Sequence, residues 1–182
     1  SRASFRTITV FLFGQYIMGV ITSLEIQKRN KKRISVFIDE EYAFSVSLDE
    51  AVKLHKGQVV SEDEIAQLTQ DAAITVATDS AARLLAIRPR STHEIRQNLA
   101  KKEISQPVID AALERLTAFG YVDDRAFAEM WVRDRLTYKP TSPRALRFEL
   151  RQKGIASSII DQVLSDLDAE ESAYRAAQAH ER

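Results

Sequence analysis

The feature that most constrains this chain is an internal repeat. Shifting the sequence by 51 positions lays Pro89 on Pro140, Ser91 on Ser142, Arg96 on Arg147, Leu99 on Leu150 and Lys102 on Lys153. The same shift lays Ile104 on Ile155, Ile109 on Ile160, Asp110 on Asp161, Leu113 on Leu164 and Leu116 on Leu167, and sets Ile95 against Leu146. Identities packed this densely mark one supersecondary unit used twice, each copy burying its apolar face with help from its neighbours.

Each copy reads as three helices: a lead helix, a short middle helix and a third. In the first copy they cover 72–87, 91–102 and 105–119, and in the second 123–138, 142–153 and 156–167. Ser91, Ser105, Asp123, Ser142 and Ser157 stand where N-caps are needed, and Gly120 and Gly154 stand where helices stop. In the middle helices the apolar residues fall four apart, Ile95/Leu99 and Leu146/Leu150, which gives one buried stripe. The lead helices bring Leu84 and Leu85 in one copy and Phe127, Met130 and Trp131 in the other. The stretch 169–180 resembles a further lead helix, so 169–182 reads as the start of a third, truncated unit.

Upstream the period changes from helical to two. Val20, Thr22, Leu24 and Ile26 share one strand face, and Ile34, Val36 and Ile38 another, with polar links at 28–33 and 39–41. This predicts a small antiparallel meander of three strands within 18–60, which must pack on something to be stable. Helix begins at Ser47 or Leu48, and Ser61 with Glu64 forms a capping box ahead of a long helical stretch to Ile87, with a break foreseen near 75–78. The organisation is therefore 18–60 β-rich, 61–120 first unit, 121–168 second unit. Residues 1–17 contain no Met, and Met18 reads as the natural start with an upstream extension before it. The apolar run TITVFLF there is far shorter than the roughly 20 residues of a membrane span.

Composition removes several function classes. There is no Cys, so these residues hold no disulfide, thiolate zinc site or cysteine nucleophile, which fits a reducing, cytoplasmic setting. His55, His93 and His180 are isolated, and no phosphate-loop, dinucleotide or nucleophile-elbow pattern occurs, so no catalytic residue, metal or cofactor is expected. Asp123-Asp124 is read as a helix start, not a metal pair. Tyr121 and Phe127 flank it as staple and core contact. Trp131 and Tyr138 are read as core or inter-unit packing, with an exposed binding role for Tyr138 the alternative.

Net charge is zero, but its distribution is uneven. Arg83, Arg88, Arg90, Arg96, Lys101 and Lys102 are opposed within 91–102 only by Glu94. Arg133, Arg135, Lys139, Arg144, Arg147, Arg151 and Lys153 are opposed within 131–154 only by Asp134 and Glu149, while the chain from Ile155 onward is acidic. Scattered Lys and Arg ordinarily form a solvated face. Recurrence of Arg96/Arg147 and Lys102/Lys153 at one period instead describes a stripe suited to an acidic protein groove or to phosphates, and the zero net charge favours the groove.

Three segments carry a family resemblance. Residues 88–102 (RPRSTHEIRQNLAKK), 119–128 (FGYVDDRAFA) and 149–155 (ELRQKGI) resemble, in tandem, the signature elements of RecX proteins, and the strand-rich 20–46 resembles their amino-terminal hairpin. The resemblance covers about 20–177. It implies a mainly α fold, with tandem three-helix repeats forming an elongated curved bundle behind the β-meander. It also implies a monomeric, non-enzymatic cytoplasmic regulator that binds within the groove of the RecA filament. There it would modulate, in the inhibitory direction, recombinase, ATPase and coprotease activity in DNA repair and the SOS response. Glu103 stands where the family has Gly, which suits a helix C-terminus less well.

Two functions follow. One is a filament regulator whose repeated unit matches a periodic polymer. The other is a helix-turn-helix-like DNA-binding module with 142–153 as recognition helix and Arg144, Arg147, Arg151 and Gln152 facing bases. Weak DNA contact fits either. The acidic stretch 161–171 would repel a duplex lying along the molecule, and no membrane partner is expected.

Overall fold

The structure, a computed structural model of the chain, describes residues 18–138 and 141–180, from 170 onward through the backbone alone. The expectations for residues 1–17 and for Lys139 lie outside the described residues. The elements run β1 (Met18–Ile26), β2 (Arg33–Ile38), β3 (Glu41–Ser47), α1 (Leu48–Ala51), β4 (Val59–Ser61) and α2 (Glu62–Leu85). They continue as α3 (Thr92–Ala100), α4 (Gln106–Ala118), α5 (Asp124–Tyr138), α6 (Pro143–Gln152) and α7 (Ser157–His180). The fold is mainly helical behind a small antiparallel sheet, as the sequence predicts. It divides into two compact units within α2, between Val76 and Ala77.

In the first unit the sheet has four strands, not three, in the order β3-β2-β1-β4. The fourth strand, β4, pairs antiparallel with Met18–Val20. Three residues between a turn and a helix cap are too few to show a period, so the sequence gives no sign of them. β1 also departs from the predicted face. A register shift between Ile21 and Ser23 places Ile21 fully inside, while Val20 and Ile26 are exposed. A β-bulge changes which parity faces inward, and simple alternation cannot foresee it. Ile34, Val36 and Ile38 do share the buried face and pack with Phe44, Val46, Val60 and Ala72 of α2. Arg33, read as part of the polar link, is instead the first residue of β2. It is buried, and its guanidinium donates to the Ser45 carbonyl at 2.6 Å.

The foreseen capping box is present: Ser61 Oγ accepts from the Glu64 amide at 3.2 Å and Glu64 Oε2 accepts from the Ser61 amide at 2.7 Å. A second box at Ser47 and Glu50 starts α1. The break near 75–78 does not occur, and α2 is continuous. Two of its threonines bond without opening the helix: Thr69 Oγ1 donates to the Ile65 carbonyl and Thr75 Oγ1 to Glu50 Oε1.

The second unit carries both helical triplets. Ser91 and Ser142 cap α3 and α6 through their hydroxyls, and Asp123 Oδ1 accepts from the Arg125 and Ala126 amides. Ser105 occupies the N-cap of α4 without a side-chain bond, and Ser157 is the first helical residue of α7, not its cap. The predicted third helix and the following stretch form one helix, α7. Gly120 ends α4, whereas the 51-residue shift brings Glu171 to that place in α7, so nothing there turns the chain.

Gly154 and Glu103 occupy matching positions after α6 and α3, at φ +74° and +59°. A left-handed residue with a β-carbon costs roughly 1 to 2 kcal/mol. Glu103→Gly is therefore expected to raise stability by about 0.5 to 1 kcal/mol, net of the entropy that glycine adds to the unfolded chain. Gly154→Ala is expected to lower it by more than about 2 kcal/mol, because its β-carbon would also lie 2.3 Å from His93. Urea unfolding of both variants checks the two signs.

Candidate partner-binding surface

The contact between the two triplets draws in two of the candidate cations, Arg88 and Lys153. Ser91, the cap of α3, is fully buried. Its hydroxyl accepts from the Glu94 amide at 3.2 Å and donates to the Lys153 carbonyl at 2.6 Å, at the end of α6. The Lys153 ammonium then reaches back to Glu94 Oε1 at 3.0 Å, and Arg88 holds the same carboxylate with two guanidinium nitrogens at 3.1 and 3.2 Å. Asp124, at the start of α5, accepts from the Thr92 amide at 2.7 Å and so serves as a second cap for α3. His93 lies against Gly154, where no side chain fits between them. One short helix start is thus held by three pieces of the following triplet.

The repeated cations are engaged in contacts within the fold. Arg96 pairs with Asp110 and Arg147 with Asp161, the same bond at the same place in both copies. Lys102 and Lys153 also make matching contacts, each reaching its own lead helix at positions related by the 51-residue shift. Lys102 Nζ donates to Ser80 Oγ at 2.6 Å, and Lys153 Nζ sits 4.7 Å from the Trp131 ring centroid. Arg135 lies on that ring too, at 4.8 Å, and it shares Glu149 Oε2 with the indole N–H at 2.7 and 2.8 Å. In the first triplet Asn98 stands where Glu149 does. The matching positions there are Ser80 and Leu84 in place of Trp131 and Arg135, and the buried Asn98 Oδ1 has no hydrogen-bond partner among the described residues.

Of the remaining candidates, Arg90 Nε bonds the Leu84 carbonyl at 3.4 Å. Of the twelve described candidates, the structure engages some in contacts within the fold and leaves Arg83, Lys101, Arg133, Arg144 and Arg151 exposed without an ion pair to any described residue. Sequence reading missed Phe148, 64% exposed between Arg144 and Arg151 on α6. A lone aromatic at a polar helical position carries the signal, since Gln97 occupies the matching place. Phe127 is buried and stacks on Trp131 with ring centroids 6.0 Å apart, as a core contact should. Tyr138 is exposed, and so is Tyr121, which lies beside Phe119; the residue buried just before Asp123 is Val122, and not Tyr121, the staple that the sequence predicts.

Comparison with known proteins places this architecture. Three family descriptions match in chain order: the N-terminal domain of regulatory protein RecX at residues 19–61, the first RecX three-helix domain at 77–116, and the second at 123–164. The chain belongs to the RecX family. It is 40% identical over 157 residues to the regulatory protein RecX of Lactobacillus delbrueckii subsp. bulgaricus, covering 85% of this chain and 57% of that protein. It is 37% identical over 154 residues to that of Listeria welshimeri serovar 6b, covering 82% and 56%. The chain thus spans little more than half the length of these relatives. A crystal structure of a regulatory protein RecX superposes with a TM-score of 0.66 at 28% identity, covering 82% of this chain and 74% of that one. The contact built on Ser91, Glu94, Asp124 and Lys153 joins the first and second RecX three-helix domains. Among the described residues no helix is long and apolar enough to cross a membrane.

Glu94 gives the contact a pH signature. Burial disfavours its charge, but the hydrogen bonds and charges of Arg88 and Lys153 outweigh burial and bring the carboxyl from 4.5 down to about 2. A lowered folded value means that the stabilisation is fully present above the unfolded value and is lost as pH falls through the folded one. Stability is therefore expected to decline between about pH 4.5 and 2 as Glu94 protonates. Glu94→Gln should be less stable at neutral pH and should show a shallower decline over that window. Thermal unfolding across the window checks this, and parallel curves for the two proteins would contradict it.

Proposed function

We propose that this chain regulates the RecA recombinase by binding its filament, without carrying out chemistry, and that it works in the cytoplasm as a monomer. The observation that carries the reading is the order of the three RecX domains along the chain, with free cations on the helical part. A helical polymer presents its binding surface periodically, and two repeated triplets joined by a fixed contact suit such a surface. Binding of this kind shifts a polymer between conformations through differential affinity, with no bond made or broken. Inhibition is the direction we favour.

Among the candidate cations, Arg83, Lys101, Arg133, Arg144 and Arg151 are the ones available to a partner, and we assign the contact to them. Arg96, Arg147, Lys102 and Lys153 act indirectly, by holding the triplets that present the others. A helix-turn-helix-like DNA module fits less well. Arg147, which would sit at the centre of a recognition helix, is paired with Asp161, and few cations remain for phosphates.

Titrating the protein into filaments assembled on single-stranded DNA, while following ATP hydrolysis and filament length, tests the reading. Either signal is expected to change at fewer than one chain per recombinase subunit. If both are unchanged while the protein binds bare DNA with a steep loss of affinity on adding salt, the DNA module replaces it.

A further inference from the structure

Among the described residues, the repeat offers a surface that one copy covers and the other leaves exposed. In α3 the first turn is covered: Ser91 is buried, Thr92 N is bonded to Asp124, His93 lies on Gly154, and Glu94 holds Lys153. The 51-residue shift carries these four to Ser142, Pro143, Arg144 and Ala145 at the start of α6, where Ser142, Pro143 and Arg144 are exposed. The chemistry has changed with them. Pro143 has no N–H to offer an aspartate, Ala145 has no carboxylate for a lysine, and Arg144 replaces His93. This face is not built to take another triplet in the way α3 does.

It has gained another set of groups. Arg144, Phe148 and Arg151 fall at i, i+4 and i+7 on the side of α6 opposite the buried Leu146 and Leu150. They form a line about 10 Å long along the helix axis. Phe148 is 64% exposed, and both arginines lack an ion pair with any described residue. The matching positions in α3 are His93, Gln97 and Ala100, so the line belongs to the second triplet alone.

Resting on the reading that this protein binds the recombinase filament, we infer that the open face of α6 is its anchor. Phe148 enters an apolar socket on the partner protein, and Arg144 and Arg151 pair with carboxylates at the socket's rim. Two guanidinium groups around one aromatic ring are what protein interfaces concentrate at their centres, where a few Phe, Trp, Tyr and Arg residues carry most of the affinity. A nucleic acid would ask for more. Phosphate binding grows with the number of cations that displace counterions, whereas this face has two, and Arg147 beside them is paired with Asp161. Charge therefore favours an acidic protein surface.

The test compares wild type, Phe148→Ala, Phe148→Leu and Arg144→Glu/Arg151→Glu by fluorescence anisotropy. Each is measured on filaments, on the same single-stranded DNA without recombinase, and alone by sedimentation. All are expected to keep wild-type melting temperatures, since none of the three side chains is buried. Phe148→Ala is expected to weaken filament binding by at least about 10-fold, the double charge reversal by as much or more, and Phe148→Leu by clearly less. Wild-type affinity in Phe148→Ala overturns the anchor while leaving the filament reading intact, and a wild-type protein that ignores the filament removes both. Parallel losses on bare DNA make the face a base-stacking platform. A wild-type dimer that Phe148→Ala dissolves makes it a self-association surface, and either result also overturns the anchor.

Discussion

The helical part of this protein depends on a contact made by one serine. Ser91 begins α3 by accepting from its own helix, and its hydroxyl proton goes to the Lys153 carbonyl of the next triplet. A hydroxyl that is fully buried must have both bonds, because losing one partner costs about 1 to 3 kcal/mol. Around it Glu94 collects Arg88 and Lys153, and Asp124 finishes the capping of α3. The helix start that one triplet needs for its own stability is thereby the place where the other is attached.

That arrangement gives the recurring residues a meaning different from the one their spacing suggests. Arginines repeated at one period look like a binding stripe, yet each is closed by an aspartate repeated at the same period. Both halves of the pair are in the sequence, since Asp110 and Asp161 match under the same shift as Arg96 and Arg147. These recurring pairs tie α3 to α4 and α6 to α7. Phe148 and Arg144, by contrast, are exposed and differ from Gln97 and His93 at the matching places.

Much of the architecture is legible in the sequence because it rests on local rules. The two triplets, the Ser61–Glu64 box, the Asp123 cap and the strained Glu103 follow from spacing, cap chemistry and backbone sterics. The features that escaped depend on partners distant along the chain. The inward turn of Ile21 follows from a bulge, and β4 exists only because β1 has a free edge. The burial of Arg33 is made possible by Ser45 on a neighbouring strand. The contact residues were visible as types, but nothing in their order says that Lys153 crosses to Glu94 and not to a solvated face. The continuity of α7 was open to inference from the lack of a glycine near residue 171.

The joint is most directly tested by a double-mutant cycle on Lys153→Met and Glu94→Gln, measured by urea unfolding. The two groups lie 3.0 Å apart and are largely shielded from water. If the contact holds the triplets together, the cycle should give a coupling of about 1 to 2 kcal/mol, with the helical part unfolding in a single transition. A coupling indistinguishable from zero, or separate transitions for the two triplets in the wild-type protein, would contradict the account.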